Sequence, residues 1–265
     1  MKVFISGTSG FLGGHLLRVL RAQKYEAVGV NRSIMPNSLT FEQFKVNETP
    51  GKKIFIHCAG LVHSKLSDYD NFYDANVKLS KELGTVALKN NFSKFIYIST
   101  IGVFGTSKDE VSVLSKNDPH DAYTQSKNDA EDELKKIFKN SGCKLIIVRS
   151  PLIIGKNAPG NIKLIEKLLN AFPITPFGMV NNSKSIIKIE TLCETLANFD
   201  NLQDNLIMPS EKLPLSTSEI FDLVAKYNNK KFYHLPIPLK IINLLLTLLK
   251  KDNLQKNLTG DLVIK

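Results

Sequence analysis

The chain has 265 residues, 43% of them hydrophobic, with 35 Lys and Arg against 25 Asp and Glu, a formal net charge of +10. That length fits one large domain or a domain with a smaller partner, and the composition can bury a real core, which excludes a disordered or fibrous chain. Three well-separated cysteines, Cys58, Cys143 and Cys193, exclude a disulfide framework and a CxxC metal pattern, so no metal is expected and reduced thiols in a cytoplasmic setting are.

The N-terminal apolar run is too short for a signal peptide and stops at a glycine. The surplus of positive charge suits a polyanionic small substrate, nucleic acid or an anionic membrane. Scattered lysines without interleaved aromatics make nucleic acid the weakest of the three.

In chain order, residues 2–6 read as a strand and 11–23 as a helix, with Phe11, Leu12, Leu16, Val19 and Leu20 on one side. Strands are expected at 26–30, 53–58, 94–99 and 144–149, and helices at 69–90 and 123–140. Short apolar strands alternating with helices indicate a doubly wound parallel sheet, the Rossmann arrangement, which binds ligands at the carboxyl ends of its strands. A dinucleotide-binding domain over 1–155 follows. After Arg149 prolines loosen the rhythm, and 156–265 reads as a smaller substrate-binding α/β portion, of which about 183–200 packs back on the first domain. It contains a helix near 161–169, a strand around 186–189, a helix from Thr191 and another capped by Ser216 or Thr217 with Glu219 in its first turn. Residues 238–251 carry the longest apolar run, 241–249, well short of the ~20 residues that span a bilayer. They read as a mostly buried helix with polar breaks at Asn243 and Thr247. The alternative is weak peripheral docking on a membrane with Lys250 and Lys251 at the rim.

Four motifs bear on chemistry. Gly7-Thr8-Ser9-Gly10-Phe11-Leu12-Gly13 joins the first strand to the first helix. There Gly7 turns the chain, Gly10 lets a pyrophosphate approach and Gly13 lets helix and strand pack closely, with the helix N-terminus facing the phosphates. The second strand ends in Val30-Asn31-Arg32-Ser33, with no acidic residue for a ribose 2′-hydroxyl. Arg32 and Ser33 suit a 2′-phosphate, which favours NADP(H), with NAD(H) as the alternative. In Tyr123-Thr124-Gln125-Ser126-Lys127, tyrosine and lysine share one helical face, so the ammonium is expected to lower the phenol pKa. At the end of another strand, Thr100 first and Ser99 second offer a hydroxyl to a reacting oxygen.

These motifs fall in an order that resembles the extended short-chain dehydrogenase/reductases, the nucleotide-sugar epimerase and dehydratase superfamily. The matching pieces are GTSGFLGGHL at 7–16, HCAG at 57–60, YISTIGVFG at 97–105, YTQSK at 123–127 and VRSPLIIG at 148–155. A narrower likeness, carried by 98–105, 148–169 and 182–196, is to reductases of UDP-4-keto-6-deoxy-N-acetylhexosamines that serve bacterial surface polysaccharides.

The resemblance implies a catalytic set of Thr100, Tyr123 as proton donor and Lys127, which also binds ribose. It implies cofactor binding by Gly7, Gly10, Gly13, Phe11 and Leu12 through backbone N–H groups, and by Ala59 and Gly60. It implies substrate contacts from Ser99, Asn161 and Lys184, and a homodimer formed through the helices at 69–90 and 123–140. Ser150 stands where the family often has a second proline. Ser183-Lys184 stands where it often has two arginines, which removes bidentate phosphate binding. The stretch between Arg32 and Lys53 is short, implying a trimmed adenine pocket, and the end at Lys265 implies a reduced lid.

Dehydratases of this kind place Asp-Glu after the Ser/Thr, where this chain has Ile101 and Gly102, so dehydration is discounted. Net reduction of a 4-keto nucleotide sugar is the expected reaction, 4-epimerisation with the same triad the alternative, and a non-catalytic dinucleotide sensor the rival from another class.

Overall fold

A computed structural model describes residues 1–46, 49–62, 69–172, 174–248 and 258–265. In chain order the first half comprises β1 (Lys2–Ser6), α1 (Phe11–Ala22), β2 (Glu26–Asn31), β3 (Ser38–Thr40), α2 (Phe41–Lys45), β4 (Lys53–His57), α3 (Tyr69–Phe72), a π-helical turn (Tyr73–Lys78), α4 (Leu79–Lys89) and β5 (Lys94–Thr100). A 3₁₀ turn (Ile101–Phe104), β6 (Glu110–Val111), α5 (Ala122–Phe138) and β7 (Lys144–Ser150) follow. The remainder holds β8 (Leu152–Ile154), α6 (Asn161–Ala171), β9 (Ile174–Thr175), β10 (Ile186–Lys188), α7 (Ile189–Ala197), β11 (Leu206–Ile207), α8 (Thr217–Tyr227), β12 (Tyr233–His234), α9 (Leu239–Leu248) and β13 (Val263–Ile264).

Seven strands form one sheet in the order β11-β7-β5-β4-β1-β2-β3. Every pairing in it is parallel. Parallel sheets are covered on both faces, which is why β1 and β4 are buried along almost their whole length. One face packs on α1 and α7 through Leu12, Leu16, Leu20, Leu192 and Leu196. The other packs on α4 and α5 through Leu83, Ala87, Ala130 and Leu134. Phe4, Phe44, Phe55 and Phe92 pack ring against ring there, with centroids 5.0–6.0 Å apart. Such pairs add to the free energy of apolar burial.

The order reverses between β1 and β4, because the chain builds outward from β1 through β2 and β3, then returns to the other side of it. The register sets Ser6 beside His57, so the loops after β1 and β4 leave the sheet next to one another. In open α/β sheets a ligand-binding crevice forms at such a switch point.

Four features depart from the sequence expectations. Residues 32–53 contain a strand and a helix: β3 pairs with β2 through Gly29–Ser38, Val30–Leu39 and Asn31–Thr40, and α2 starts in a capping box between Thr40 and Gln43. The shortening falls in the connection, residues 32–37, which contains no helix. The stretch at 69–90 is interrupted by the π turn. The helix expected from Thr191 begins at Ile189, directly after β10. Finally, α9 is not mostly buried: Ile242 is in the core, but Ile241, Leu244 and Leu248 are 48%, 60% and 70% exposed. Residues 249–251 of that expected helix lie outside the described residues.

The third core joins α6, α8 and α9 through Ile162, Ile165, Phe221, Val224 and Ile242. Of the two candidate caps for α8, Ser216 is the one, in a reciprocal capping box with Glu219. Residues 186–199 contribute Ile187, Ile189, Leu192, Leu196 and Phe199 to the same core as β1 and α1.

Candidate active site

The glycine loop follows β1. Gly7 has φ +72°, and a Cβ there would lie 2.7 Å from the Ala59 backbone. A Cβ on Gly13 would collide with the Gly7 carbonyl. Both positions exclude side chains for steric reasons, so α1 begins hard against the sheet. The N-cap of α1 is Gly10, with no side-chain cap and no acidic residue in the first turn. The first-turn N–H groups, including those of Phe11 and Leu12, are therefore available to an anion, the fit a dinucleotide pyrophosphate requires.

Asn31 ends β2 and turns back into this loop. Its Nδ2 donates to Thr8 Oγ1 at 2.7 Å, and the Thr8 hydroxyl donates to Asn31 Oδ1 at 3.1 Å. Arg32 and Ser33, the next two residues, are exposed. No carboxylate follows β2 directly.

After β4, Ala59 N donates to Ser6 Oγ at 3.1 Å, tying the two loops together. Ser6 Oγ also meets His57 Nδ1 at 2.6 Å, and His57 Nε2 meets Ser80 Oγ at 2.9 Å. Burial in the first place, and the charge of Lys127 in the second, bring the His57 imidazole down to about 3. It is neutral at physiological pH, and its ring is held between two hydroxyls.

The π turn places Asn76, 1% exposed, where its amide reads the loop after β4. Leu61 N donates to Asn76 Oδ1 at 2.7 Å, and Asn76 Nδ2 donates to Leu61 O at 3.0 Å and to Ser126 Oγ at 2.9 Å. Ser126 Oγ in turn donates to Tyr123 O at 2.7 Å. The side chain of Asn76 thus connects the cofactor side of the cleft to the helix that carries Tyr123 and Lys127. π turns recur at functional sites for this reason.

Helix α5 opens with Asp121 as N-cap, in a reciprocal arrangement with Thr124. A Cβ on Gly102 would lie 2.8 Å from Thr124 Cγ2 and 3.3 Å from Thr100 Oγ1, so the absence of one lets the start of α5 close on the end of β5. Thr100 Oγ1 accepts from Gly102 N at 3.0 Å, capping the 3₁₀ turn, and retains its own hydrogen for donation. Lys127 is 6% exposed, donates from Nζ to Ile98 O at 2.5 Å, and lies 4.1 Å over the Tyr97 ring. A Cβ on Gly60 would be 4.0 Å from Lys127 Nζ. Lys127, Ala59, Gly60 and the glycine loop are therefore brought together, and the start of α5 closes on Thr100 at the end of β5.

The electrostatics of the tyrosine differ from the sequence expectation. Its phenol is pushed up, first by burial and then by the Asp121 charge, and Lys127 does not offset this. The ammonium faces Ile98 O and the Tyr97 ring instead. Burial brings Lys127 itself down to about 7, with Glu131 acting in the opposite direction. In the chain by itself Tyr123 is a protonated donor at neutral pH.

A second expectation also fails. Ser99 is 3% exposed and its hydroxyl donates to Glu131 Oε1 at 2.6 Å, so it is turned into the protein rather than toward a substrate. Glu131 also accepts from Arg149 Nε at 3.0 Å and Nη2 at 2.6 Å. Ser99, Glu131 and Arg149 pin β5, α5 and β7 together beneath the crevice. Asn161 begins α6 in an exposed position after Gly160. Lys184 belongs to another cluster: its backbone bridges Leu215 and Leu262, and burial lowers its pKa against the opposing charge of Asp261.

Asn76, Ser126 and the Ser6–His57 pair are site residues that sequence reasoning did not single out. Ser126 was legible as the residue three after Tyr123 on the same helical face. Asn76 was not, because its orientation depends on the π turn.

A parallel sheet with a glycine loop at its switch point and a Tyr-x-x-x-Lys helix beside it defines a dinucleotide-dependent oxidoreductase class. The profile of the NAD dependent epimerase/dehydratase family matches residues 3–194, and the chain belongs to that family. It is 24% identical to a UDP-glucose 4-epimerase from Vibrio cholerae, over 99% of this chain and 87% of that protein. It is 23% identical to an N-acetyl-alpha-D-glucosaminyl-diphospho-ditrans,octacis-undecaprenol 4-epimerase from Escherichia coli O157:H7, over 91% and 77%. The crystal structure of UDP-glucuronic acid 4-epimerase from Bacillus cereus in complex with NAD superposes with a TM-score of 0.72 at 19% identity, covering 95% of this chain and 91% of that one.

Proposed function

We propose that the protein reduces a ketone at C4 of a nucleotide-linked sugar, of the UDP-4-keto-6-deoxy-N-acetylhexosamine type that its motifs resemble. The observation that supports this reading is Lys127 beside Gly60, on the helix whose start closes on Thr100. A bound nicotinamide dinucleotide supplies hydride. Tyr123 donates the proton to the carbonyl oxygen, Thr100 hydrogen-bonds that oxygen, and Lys127 holds the ribose. A phenol kept protonated by burial suits the reductive direction, in which the tyrosine starts as an acid. The exposed Arg32 and the absence of a carboxylate after β2 support NADPH over NADH. Residues 156–265 serve as the substrate portion in this reading, with the exposed Asn161 toward the nucleotide.

A second reading, 4-epimerisation, is favoured by the near full-length similarity to the Vibrio cholerae enzyme. One experiment separates them. Purified protein is given NADPH or NADH with UDP-4-keto sugars, and separately NAD⁺ with UDP-hexoses. Stoichiometric NADPH oxidation with a 4-keto sugar is the expected result. Interconversion of C4 epimers without net consumption of dinucleotide gives the second reading. Dinucleotide binding with no turnover of any sugar overturns both and leaves a sensor.

A further inference from the structure

The exposed stripe on α9 is unusual for a helix that also contributes to a core. Ile241, Leu244 and Leu248 follow i, i+3, i+7 spacing, which places them on one side of the helix, while Ile242 turns inward. Upstream, Tyr233 pairs with Ile174 across β12 and β9, so the two side chains emerge together, 74% and 47% exposed. Phe172 and Leu235, each next to this pair in sequence or one residue beyond it, are 61% and 45% exposed.

The segment that carries most of these side chains is basic. From Leu223 to Lys251 the sequence has no Asp or Glu and six lysines: Lys226, Lys230, Lys231, Lys240, Lys250 and Lys251. Lys230, Lys231 and Lys240 are exposed, as are Lys163 and Lys167 on α6. Two acidic groups on the neighbouring helices are engaged locally: Asp222 is 3.4 Å from His234 Nε2, and Glu166 accepts from Asn228 Nδ2 at 3.2 Å. Among the described residues no helix is long and apolar enough to cross a membrane.

We infer that α9 and the β9–β12 edge dock the protein on an anionic lipid surface, with Ile241, Leu244 and Leu248 entering the acyl boundary and Lys230, Lys231 and Lys240 meeting the headgroups. An amphipathic helix with a cationic border lies in the plane of such an interface, and depth comes from its apolar stripe. Each lysine near an anionic surface strengthens binding by roughly fivefold, so net attraction collapses when salt screens it. A protein partner would be expected to bring acidic groups in specific places. A segment whose described residues 223–248 carry four lysines and no carboxylate suits a diffuse anionic plane better. The inference is independent of the reaction, since it rests on surface residues far in sequence from α5.

The test is vesicle flotation of the full chain with phosphatidylcholine alone and with phosphatidylcholine containing phosphatidylglycerol. Binding to the anionic vesicles only, weakened by salt, is expected. Leu244→Gln/Leu248→Gln and Lys230→Glu/Lys231→Glu should each lower binding at least roughly tenfold with an unchanged circular dichroism spectrum. A chain that stays soluble with both vesicles overturns the inference. So does binding that neither double variant alters. If the chain ignores vesicles and the leucine variant converts a dimer to a monomer in sedimentation velocity, a second copy covers the face and the inference falls.

Discussion

Lys127 Nζ donates to the carbonyl of Ile98 at 2.5 Å, which anchors the first half of α5 to β5 two residues before that strand ends. The lysine is thereby fixed beside Gly60 before any ligand arrives. Its ammonium is costly where it sits, and burial brings it down to about 7. The group is charged below that pH and neutral above it. If it holds the dinucleotide ribose as an ammonium, the dissociation constant should rise as pH increases from 7 to 9, by up to roughly tenfold per unit. Fluorescence titration of NADPH across this range checks it. The Lys127→Met variant should bind more weakly and show a flat profile.

Tyr123→Phe removes the proton donor and leaves the ring that faces Phe72 at 6.2 Å. Turnover should fall on the order of 10²–10⁴-fold, with KM and NADPH affinity nearly unchanged. Steady-state kinetics with separate cofactor titration make the comparison. Retained turnover would remove the tyrosine from the chemistry.

The Glu131–Arg149 pair is 0% and 4% exposed at its side chains and is bidentate. Removing Arg149 leaves the buried Glu131 with only the half-exposed Lys135 at 3.6 Å as its cation, and removing Glu131 leaves the buried guanidinium without its carboxylate. Arg149→Met should cost about 3–5 kcal/mol in urea unfolding, and Glu131→Gln somewhat less because its amide oxygen still accepts. The double replacement by apolar residues should recover part of the loss, which a double-mutant cycle measures.

His57 dictates an acid limb. Its imidazole is brought from 6.5 to about 3 by burial, so the unfolded chain takes up a proton that the folded chain refuses. Its contribution to stability is fully present above pH 6.5 and is lost as pH falls toward 3, with a slope of at most about 1.4 kcal/mol per pH unit. Urea midpoints measured from pH 7 to 4 should show this slope. His57→Asn should flatten it, at the cost of lower stability at pH 7.

The order of strands and helices was legible because each sheet strand is a short apolar run that two helical layers bury, as at Ile54, Phe55 and Ile56. The glycine trio was legible because Gly7 and Gly13 admit no Cβ. What escaped was whatever depended on a partner distant in sequence. Ser99 and Thr100 look equivalent as neighbours, yet alternation in β5 sends one to Glu131 and leaves the other at the crevice. β3 escaped because its three residues have no periodicity of their own and exist through pairing with β2. The exposure of α9 escaped because apolar content is the same whether a stripe faces the core or solvent.

The π turn at Tyr73–Lys78 makes the length of that segment part of the machinery. A wider turn stores one residue beyond what a regular helix of the same rise would use. Deleting a single residue there would let the backbone relax into ordinary α geometry with the flanking turns still in phase, and the residues inside the turn, Asn76 among them, would take new directions. Asn76 and Ser80 could not then serve Leu61 and His57 together. A segment shortened by one residue would therefore keep its helix and lose the link that Asn76 makes between the loop after β4 and α5.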